Sequence, residues 1–366
     1  MLFHKKIINC VILIIMFYTV YTLFEKRRQL KLEGMFNLGM FNRGMFNRGV
    51  TNRRVIEREL SKMNNKAPSG ITSLTQNNNS HVLRQYCIKS SYNSAVSGKF
   101  VSTNAIKYVL SRGCRFIDLE VFLINDDAQV AYTDDSTFIT VKTKNYITLN
   151  SALQTLAVNA FSAPSPNSSD PLFVQLRIKS KNSKIYNLVG MAVSNYLSNK
   201  LYAGKVTGNT PLSSLMGKVV LIIDSSLSPD YNKKELYPKC VSNDDKQLDK
   251  KDHCFNLSQF VNIESGTSNL RRYTYKSLLE QTTTPPVLLD SEKTETDVSL
   301  FRLVCPDDND YRNPVHKNFI DDYGVQFISF KYYVADAELK MYEDFFAKHM
   351  SAFVPLSTAI TVANKT

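Results

Sequence analysis

From about residue 81, short apolar and β-branched runs alternate with longer stretches of helical periodicity. The predicted strands are Gln85–Lys89, Arg115–Phe122, Gln129–Tyr132, Leu172–Ile178, Val219–Ile223, Val261–Glu264, Leu300–Cys305 and Val325–Phe330. The predicted helices are Thr103–Arg112, Leu149–Asn159, Lys184–Asn199, Tyr273–Gln281 and Ala337–His349. Apolar strands separated by helices are typical of a parallel sheet covered on its outer side, and eight of them predict a TIM-type (β/α)8 barrel.

The amino-terminal part of the chain has a different pattern. Ile7 to Phe24 carries no charge, and as a helix it would rise about 27 Å, close to the hydrocarbon thickness of a bilayer. The run lacks the small-residue cleavage site of a signal peptide, so it predicts an uncleaved transmembrane helix within residues 1–30. Four basic residues at 26–31 against two at 5–6 place the large domain on the cytosolic side of a single-pass membrane protein.

Between this segment and the predicted barrel, residues 31–80 have the composition of a flexible linker. They contain the repeat GMFNL, GMFNR, GMFNR, whose period of five fits neither a helix nor a strand, followed by an Asn- and Ser-rich stretch. The barrel domain is predicted over 81–360. The polar, charged stretch 226–255 reads as a surface insertion that separates two halves, 84–225 and 256–356.

Charge and cysteine content limit which binding partners and metal sites the sequence predicts. The net charge is +12, but the first 60 residues hold eleven Lys and Arg against four Glu, so much of the excess lies outside the predicted barrel. Such a basic segment beside an apolar run favours an anionic membrane surface, and no nucleic-acid partner is expected. Six cysteines without a CxxC or Cys/His spacing do not indicate a zinc site.

Four sequence blocks bring polar residues to the ends of predicted strands. They read YCIKSSYN at 86–93, GCRFIDLE at 113–120, QVAYTDD at 129–135 and LFVQLRIK at 172–179. Their order resembles the X region of the phosphatidylinositol-specific phospholipases C, which reads YFISSSHNT, GCRCVELDCWDG, VVYHGHT and FPVILSLEN. Residues 300–330 resemble the Y region, and the whole resemblance spans about 84–356. It implies a TIM barrel whose family hydrolyses a phosphodiester with two histidines, assisted in eukaryotic members by calcium.

Carried over by position, the resemblance implies that the proton-transfer pair is missing. The two family histidines fall on Tyr92 and Thr133, and neither side chain shuttles protons near pH 7. The Lys residues that grip substrate phosphates in the family fall on Ile222 and Asp224. Of the phosphate contacts Arg302 remains, and Lys89 in the first block is a further candidate for substrate binding.

The resemblance also implies a degenerate calcium site. Asn93, Asp118 and Glu120 stand at three ligand positions, and Arg177 replaces the fourth ligand, a Glu. A cation at this position repels calcium and can pair with the remaining carboxylates, so no cofactor is expected and calcium binding is doubtful. Bacterial relatives use an Arg in place of calcium, but they keep both histidines.

The sequence therefore predicts a membrane-anchored barrel without phospholipase activity, acting as a binding or scaffold module for anionic phospholipid head groups or an unidentified protein. The alternative is an active phosphodiesterase acting on phospholipid or glycerophosphodiester, with Asp134 or Asp135 as a replacement base. A third reading is a structural membrane protein of a large assembly such as a virion, since frequent Asn, Lys and Ile without Trp suggest AT-rich coding.

Overall fold

The computed structural model describes residues 54–61, 70–75, 80–134, 140–237, 255–280, 300–308 and 311–363. The strands within them are β1 (Tyr86–Ser91), β2 (Val96–Ser97), β3 (Phe100–Val101), β4 (Phe116–Ile124), β5 (Asp127–Ala131), β6 (Ile147–Thr148), β7 (Leu172–Ile178), β8 (Val219–Asp224), β9 (Ile263–Ser265), β10 (Arg271–Thr274), β11 (Arg302–Cys305), β12 (Phe327–Phe330) and β13 (Phe353–Pro355). The helices are α1 (Thr103–Ser111), α2 (Leu149–Asn159), α3 (Lys184–Tyr196), α4 (Tyr275–Leu279), α5 (His316–Asp321), α6 (Ala337–Lys348) and α7 (Leu356–Ala363), and residues 54–61 are also helical.

Eight parallel strands form a nearly closed barrel within the unit Ile56–Thr366. They follow the order β10-β11-β12-β1-β4-β7-β8-β9, so β1 pairs with both β12 and β4. The two ends of this order, β9 and β10, are joined by a single bridge between Ser265 and Leu270. Such a sequential arrangement of parallel strands confirms the predicted TIM-type barrel.

Two separate apolar clusters define the inside and the outside of the barrel wall. Phe116, Phe173 and Phe327 meet within the barrel, with ring centroids 4.8 Å apart for Phe116–Phe327 and 5.3 Å apart for Phe173–Phe327. Ile117 and Val174, one residue further along the same strands, belong to the outer cluster with the helices. This alternation follows from the two-residue period of a strand, and it determines which polar side chains point inward.

Helix ends and one tight turn are set by local side-chain chemistry. Ser102, Thr148 and Asp336 each accept a backbone N–H from the first turn of α1, α2 and α6, respectively, which satisfies donors that a helix start leaves free. Asn125 and Asp126, both with positive φ, connect β4 to the antiparallel β5 in a two-residue hairpin. The hairpin extends the sheet outside the barrel beside the second half of β4.

One predicted barrel strand is wrong and another was missed. Residues 129–132 do not join the barrel, because they largely coincide with β5, which runs antiparallel to β4 on its outer side. The missing barrel strand is β10, whose residues Arg271 to Thr274 are polar or only half-buried and form no apolar run. Helices α5 and α7 were also missed, while Leu172–Ile178 and Leu149–Asn159 match their predicted bounds.

The predicted single-pass membrane localisation is corrected. Among the residues that the structure describes, no helix has the length and apolar character needed to cross a membrane. The segment Ile7–Phe24 and the GMFNR repeats, on which the membrane and linker predictions rested, lie outside the described residues, as do 238–254 of the predicted insertion. From the predicted linker, residues 70–75 are described, and Ile71 is buried against the outer cluster.

Candidate functional site at the barrel mouth

Three charged side chains point into the barrel near the carboxyl ends of its strands. Asp118 and Glu120 are two residues apart on β4 and therefore share the inner face. Glu120 pairs in register with Arg177 on the neighbouring β7. Asn93 follows β1 with a φ of 45°, and its backbone N–H donates to Asp118 Oδ1 at 3.0 Å. The carboxyl ends of barrel strands, where TIM-barrel enzymes carry their sites, thus bring four predicted site residues together.

The Arg177 guanidinium lies at the centre of this group. Its Nε and Nη2 donate to the two Asp118 carboxylate oxygens at 2.8 and 2.7 Å, a bidentate pair. Nη2 also donates to Asn93 Oδ1 at 2.8 Å, and Nη1 lies 2.9 Å from Glu120 Oε1. One guanidinium therefore contacts all three residues that stand at the family's calcium positions. We call Asn93, Asp118, Glu120 and Arg177 the arginine cluster.

The arginine cluster is closed to solvent. The Asp118 and Glu120 side chains are fully buried, and that of Arg177 is 2% exposed. Burial acts to lower the pKa of the Arg177 guanidinium, but the charges around it, Asp118 first, outweigh burial and raise that pKa well above its ordinary value. Arg177 is therefore a permanent cation that compensates two buried carboxylates.

The second oxygen of Glu120 is also occupied. Oε2 accepts the backbone N–H of Thr133 at 2.9 Å and lies 3.2 Å from Lys179 Nζ. Burial lowers the pKa of the Lys179 ammonium, and the Glu120 charge acts in the opposite direction. The carboxylates thus have their oxygens engaged by neighbouring donors, and the site has the chemistry of an ion-pair network.

The two positions of the family histidines hold Tyr92 and Thr133, both of which are buried. The Tyr92 ring covers Arg177, with its centroid 4.4 Å from the guanidinium carbon. Burial raises the pKa of the Tyr92 phenol well above its ordinary value, so it stays protonated. Thr133 donates its hydroxyl to the Thr140 carbonyl.

The candidate replacement base Asp134 is not part of the arginine cluster. Asp134 accepts a hydrogen bond from Lys142, a half-exposed ion pair at the surface of the mouth. Asp135 lies outside the described residues. The structure therefore leaves Asp134 as an ion-paired carboxylate beside the site.

The residues present do not fit a calcium ion. Calcium needs six to eight oxygen ligands, and the carboxylate and amide oxygens at this position already accept hydrogen bonds from Arg177. A guanidinium within 3 Å of these oxygens also supplies the charge that a metal would bring. Across the described ranges, no group of three or more His, Cys, Asp or Glu side chains is arranged to hold a metal.

Two predicted substrate contacts lie elsewhere. Lys89 points outward from β1, where its ammonium donates to the Arg112 carbonyl at 2.7 Å and lies 3.6 Å from Glu343 of α6. Arg302 is the first residue of β11, at the opposite end of the barrel from the mouth, and donates to the Tyr323 carbonyl at 2.6 Å. The inward positions of β11 are Leu303 and Cys305, so a register shift of one residue puts Arg302 on the other face.

At the barrel mouth the structure also shows an ion pair, between Arg272 and Asp224, that was not predicted from the sequence. Arg272 of β10 places Nε 3.2 Å from Asp224 Oδ2 at the end of β8, and Asp224 Oδ1 accepts from the Ser226 backbone and hydroxyl. The Arg272 side chain is 23% exposed and lies near Arg177 and Tyr92, which act on its charge. Asp224 was recognised only as a substituted position, and Arg272 carried no signal because its strand was not recognised.

Comparison with known protein families gives a match over the first half of the barrel. Residues 79–224 match the family model of the phosphatidylinositol-specific phospholipase C, X domain. This segment is similar to an X domain. No curated protein matches the chain at a significant level. The X-domain match and the barrel together confirm the resemblance noted in the sequence.

Solved structures extend the likeness beyond the X domain. The chain superposes on PLC21 of L. pealei with a TM-score of 0.54 and on PLC21 of S. officinalis with 0.53, each at 15% identity. Each alignment covers 76% of this chain but 37% of the other, so this chain spans little more than a third of those proteins. A calcium-dependent phosphoinositol-specific phospholipase C from Pseudomonas sp. gives a TM-score of 0.34 at 13% identity. At these identities the structural likeness establishes the fold alone.

Proposed function

We propose that this chain is a phospholipase-C-like barrel without the hydrolytic reaction of its family, and that it works as a binding module. The observation that carries the proposal is the arginine cluster: Arg177 satisfies Asn93, Asp118 and Glu120 at once. A fully paired, buried cluster holds neither a metal nor a substrate phosphate, because its donors and acceptors are already engaged.

The missing proton transfer supports the same conclusion. General acid–base catalysis contributes about 10²–10⁴-fold to a rate, and stabilisation of the developing phosphate charge contributes a comparable or larger factor. Tyr92 and Thr133 supply no acid or base, and the Arg177 charge is neutralised by two carboxylates. Losing both contributions leaves the barrel without the family's means of hydrolysis.

The ligand class follows from the family and from the charges at the mouth. Arg272 is a partly exposed cation there, and Lys179 is about one-tenth exposed. We infer that the module binds an anion related to phospholipid head groups. The alternative is that the module binds a protein. Failure to bind any small anion would favour this alternative.

The first experiment measures hydrolysis. The full-length chain is incubated with phosphatidylinositol and with glycerophosphodiesters, with and without calcium, beside the variant Asp134→Ala/Asp135→Ala. We expect no turnover above background in any condition. Turnover that the double variant abolishes would overturn the proposal and establish an active phosphodiesterase with a replacement base.

The second experiment asks whether Arg177 is what excludes calcium. Arg177→Glu restores the acidic residue that the family carries at this position, and Arg177→Gln is the matched control that removes the cation without adding a carboxylate. We expect millimolar calcium to raise the melting temperature of Arg177→Glu most, to raise that of Arg177→Gln less, and to leave the unmodified chain unchanged. Calcium stabilisation of the unmodified chain would contradict the role assigned to Arg177.

A further inference from the structure

A second concavity lies beside the arginine cluster, at the same edge of the barrel. It is a cavity of about 500 Å³, which we call the rim pocket, and it lies between the β2–β3 turn, the segment after β5 and the loops after β11 and β12. Four lysines line it: Lys99, Lys142, Lys144 and Lys331. Its volume falls in the range of small-molecule sites, about 300–1,000 Å³.

Two of these lysines are held side by side by the backbone. The Lys144 N–H donates to the Lys99 carbonyl at 2.8 Å. The Asn145 side chain accepts the Val101 N–H at 2.9 Å and donates to the Val101 carbonyl at 2.8 Å, which fastens this segment to β3. The two exposed side chains therefore start from adjacent, fixed points on one edge of the rim pocket.

Two of the four pocket lysines, Lys99 and Lys144, have no ion pair among the described residues. Lys142 pairs with Asp134. A further carboxylate, Glu59, packs its side chain against Gly98 at the edge of the rim pocket. The ammonium groups of Lys99 and Lys144 give this edge of the rim pocket a positive charge that favours an anion.

Three tyrosines, Tyr132, Tyr311 and Tyr333, also line the rim pocket. Lys142 Nζ lies 5.9 Å from the Tyr132 ring centroid and 5.3 Å from that of Tyr311, so the cation stands against two aromatic faces. Burial raises the pKa of the Tyr132 phenol to about 12, and it raises that of Tyr333 well above its ordinary value. Both phenols are hydrogen-bond donors at neutral pH, beside rings that can pack on the organic part of a ligand.

A buried hydroxyl without a protein hydrogen-bond partner also lines the rim pocket. Thr143 lines the pocket, is 9% exposed, and its Oγ1 has no hydrogen-bond partner. A buried hydroxyl left without a partner costs free energy, about 1–3 kcal/mol, so such a group is normally satisfied by a bound water or ligand.

We propose that the rim pocket binds a phosphate ester with a compact, ring-sized polyol, the phosphate lying between Lys99 and Lys144 and the polyol against Tyr132, Tyr311 and Tyr333. This assignment rests on the proposed function as a binding module. It moves the ligand from the arginine cluster, which is closed, to an open neighbouring site. A free monoester and the diester of a lipid head group share this chemistry.

The test is isothermal titration of the full-length chain with inositol 1-phosphate, glycerophosphoinositol, inositol and inorganic phosphate. The site variant is Lys99→Gln/Lys144→Gln, and the matched control is Lys107→Gln/Lys218→Gln, which changes the same charge on α1 and before β8. The four lysines changed in the two variants are exposed, so both variants are expected to fold. Tyr311→Ala, at a side chain 68% exposed, tests the aromatic wall separately.

We expect one ester to bind at least about tenfold more weakly to the site variant, since charge-assisted hydrogen bonds contribute that much. The control should bind as the unmodified chain does, and Tyr311→Ala should weaken the ester but not inorganic phosphate. Preference for the monoester identifies a free phosphate ester, and preference for the diester a lipid head group. No ester binding, equal binding of inorganic phosphate, or binding that the site variant leaves intact would overturn the assignment. Hydrolysis of a bound ester would overturn the proposed function instead.

Discussion

Removing the cation from the arginine cluster should destabilise the barrel by a large and predictable amount. In Arg177→Met, the hydrogen bonds to Asp118 and Asn93 and the ion pair with Glu120 are lost, while both carboxylates remain fully buried. Methionine fills much of the volume, so the perturbation is mainly electrostatic. The variant asks directly whether the barrel depends on this compensation.

The expected loss in the free energy of unfolding is about 3–5 kcal/mol, the usual cost of breaking a buried ion pair by removing one partner. The conservative variant Arg177→Lys keeps the charge but loses the bidentate fork, so its loss should be smaller, about 1–2 kcal/mol. Since domains are stable by only about 5–15 kcal/mol, both effects are well within measurement.

The assay is urea unfolding at pH 7, followed by circular dichroism, with the linear dependence on urea used to compare the variants. The decisive control is Arg177→Met/Asp118→Asn/Glu120→Gln, which removes the cation and both negative charges while keeping nearly the same shape. We expect it to recover at least half of the loss of the single variant, because no uncompensated charge then remains buried.

Two results would refute this reasoning. A loss of less than about 1 kcal/mol in Arg177→Met would mean that the carboxylates are not held as a compensated buried unit. A triple variant as unstable as the single one would mean that the loss comes from packing and lost hydrogen bonds, and not from charge.

Two further predictions concern the helix layer. Burial lowers the pKa of the His316 imidazole from 6.5 to about 4, so between these values the unfolded chain binds a proton that the folded chain does not. The free energy of unfolding should therefore fall by up to about 3 kcal/mol as pH drops from 6.5 to 4. In urea unfolding measured at several pH values, His316→Phe should reduce this fall. The same dependence of stability on pH in the variant would contradict the lowered pKa of His316. Glu343→Gln should lower the free energy of unfolding by about 3 kcal/mol, because it leaves Arg112 and Lys89 buried without their carboxylate. The control Asp344→Asn, on the same helix, should lower it by less than about 0.5 kcal/mol, because the Asp344–Lys340 pair is exposed. Equal losses would show that the Glu343 ion pairs are not buried in solution.

The local pattern of apolar and polar residues was sufficient to predict the apolar strands and the amphipathic helices. Strands β4, β7 and β8 are mostly apolar and largely buried on both faces, and this is the pattern that parallel barrel strands need. The identity of the substituted site residues was also readable, because Tyr92 and Arg177 stand inside recognisable blocks. The strand pattern and these blocks were enough to predict the barrel, the missing histidines and the altered calcium position.

Other features needed the tertiary structure. Strand β10 is polar along its length, and it is a strand only because β11 lies beside it to pair with its backbone. The face on which Arg302 lies depends on a register of one residue, which a short block of resemblance does not define.

What the sequence determined by itself was the chemistry available: two carboxylates, an amide, a guanidinium, and no histidine at the family positions. What only the tertiary structure decided was the use of that chemistry. Arg177 reaches Asp118, Glu120 and Asn93 at once because three strands bring their carboxyl ends together, and Lys99 meets Lys144 through a backbone contact across 45 residues. Distances between groups far apart in the chain follow from packing, and no local pattern encodes them.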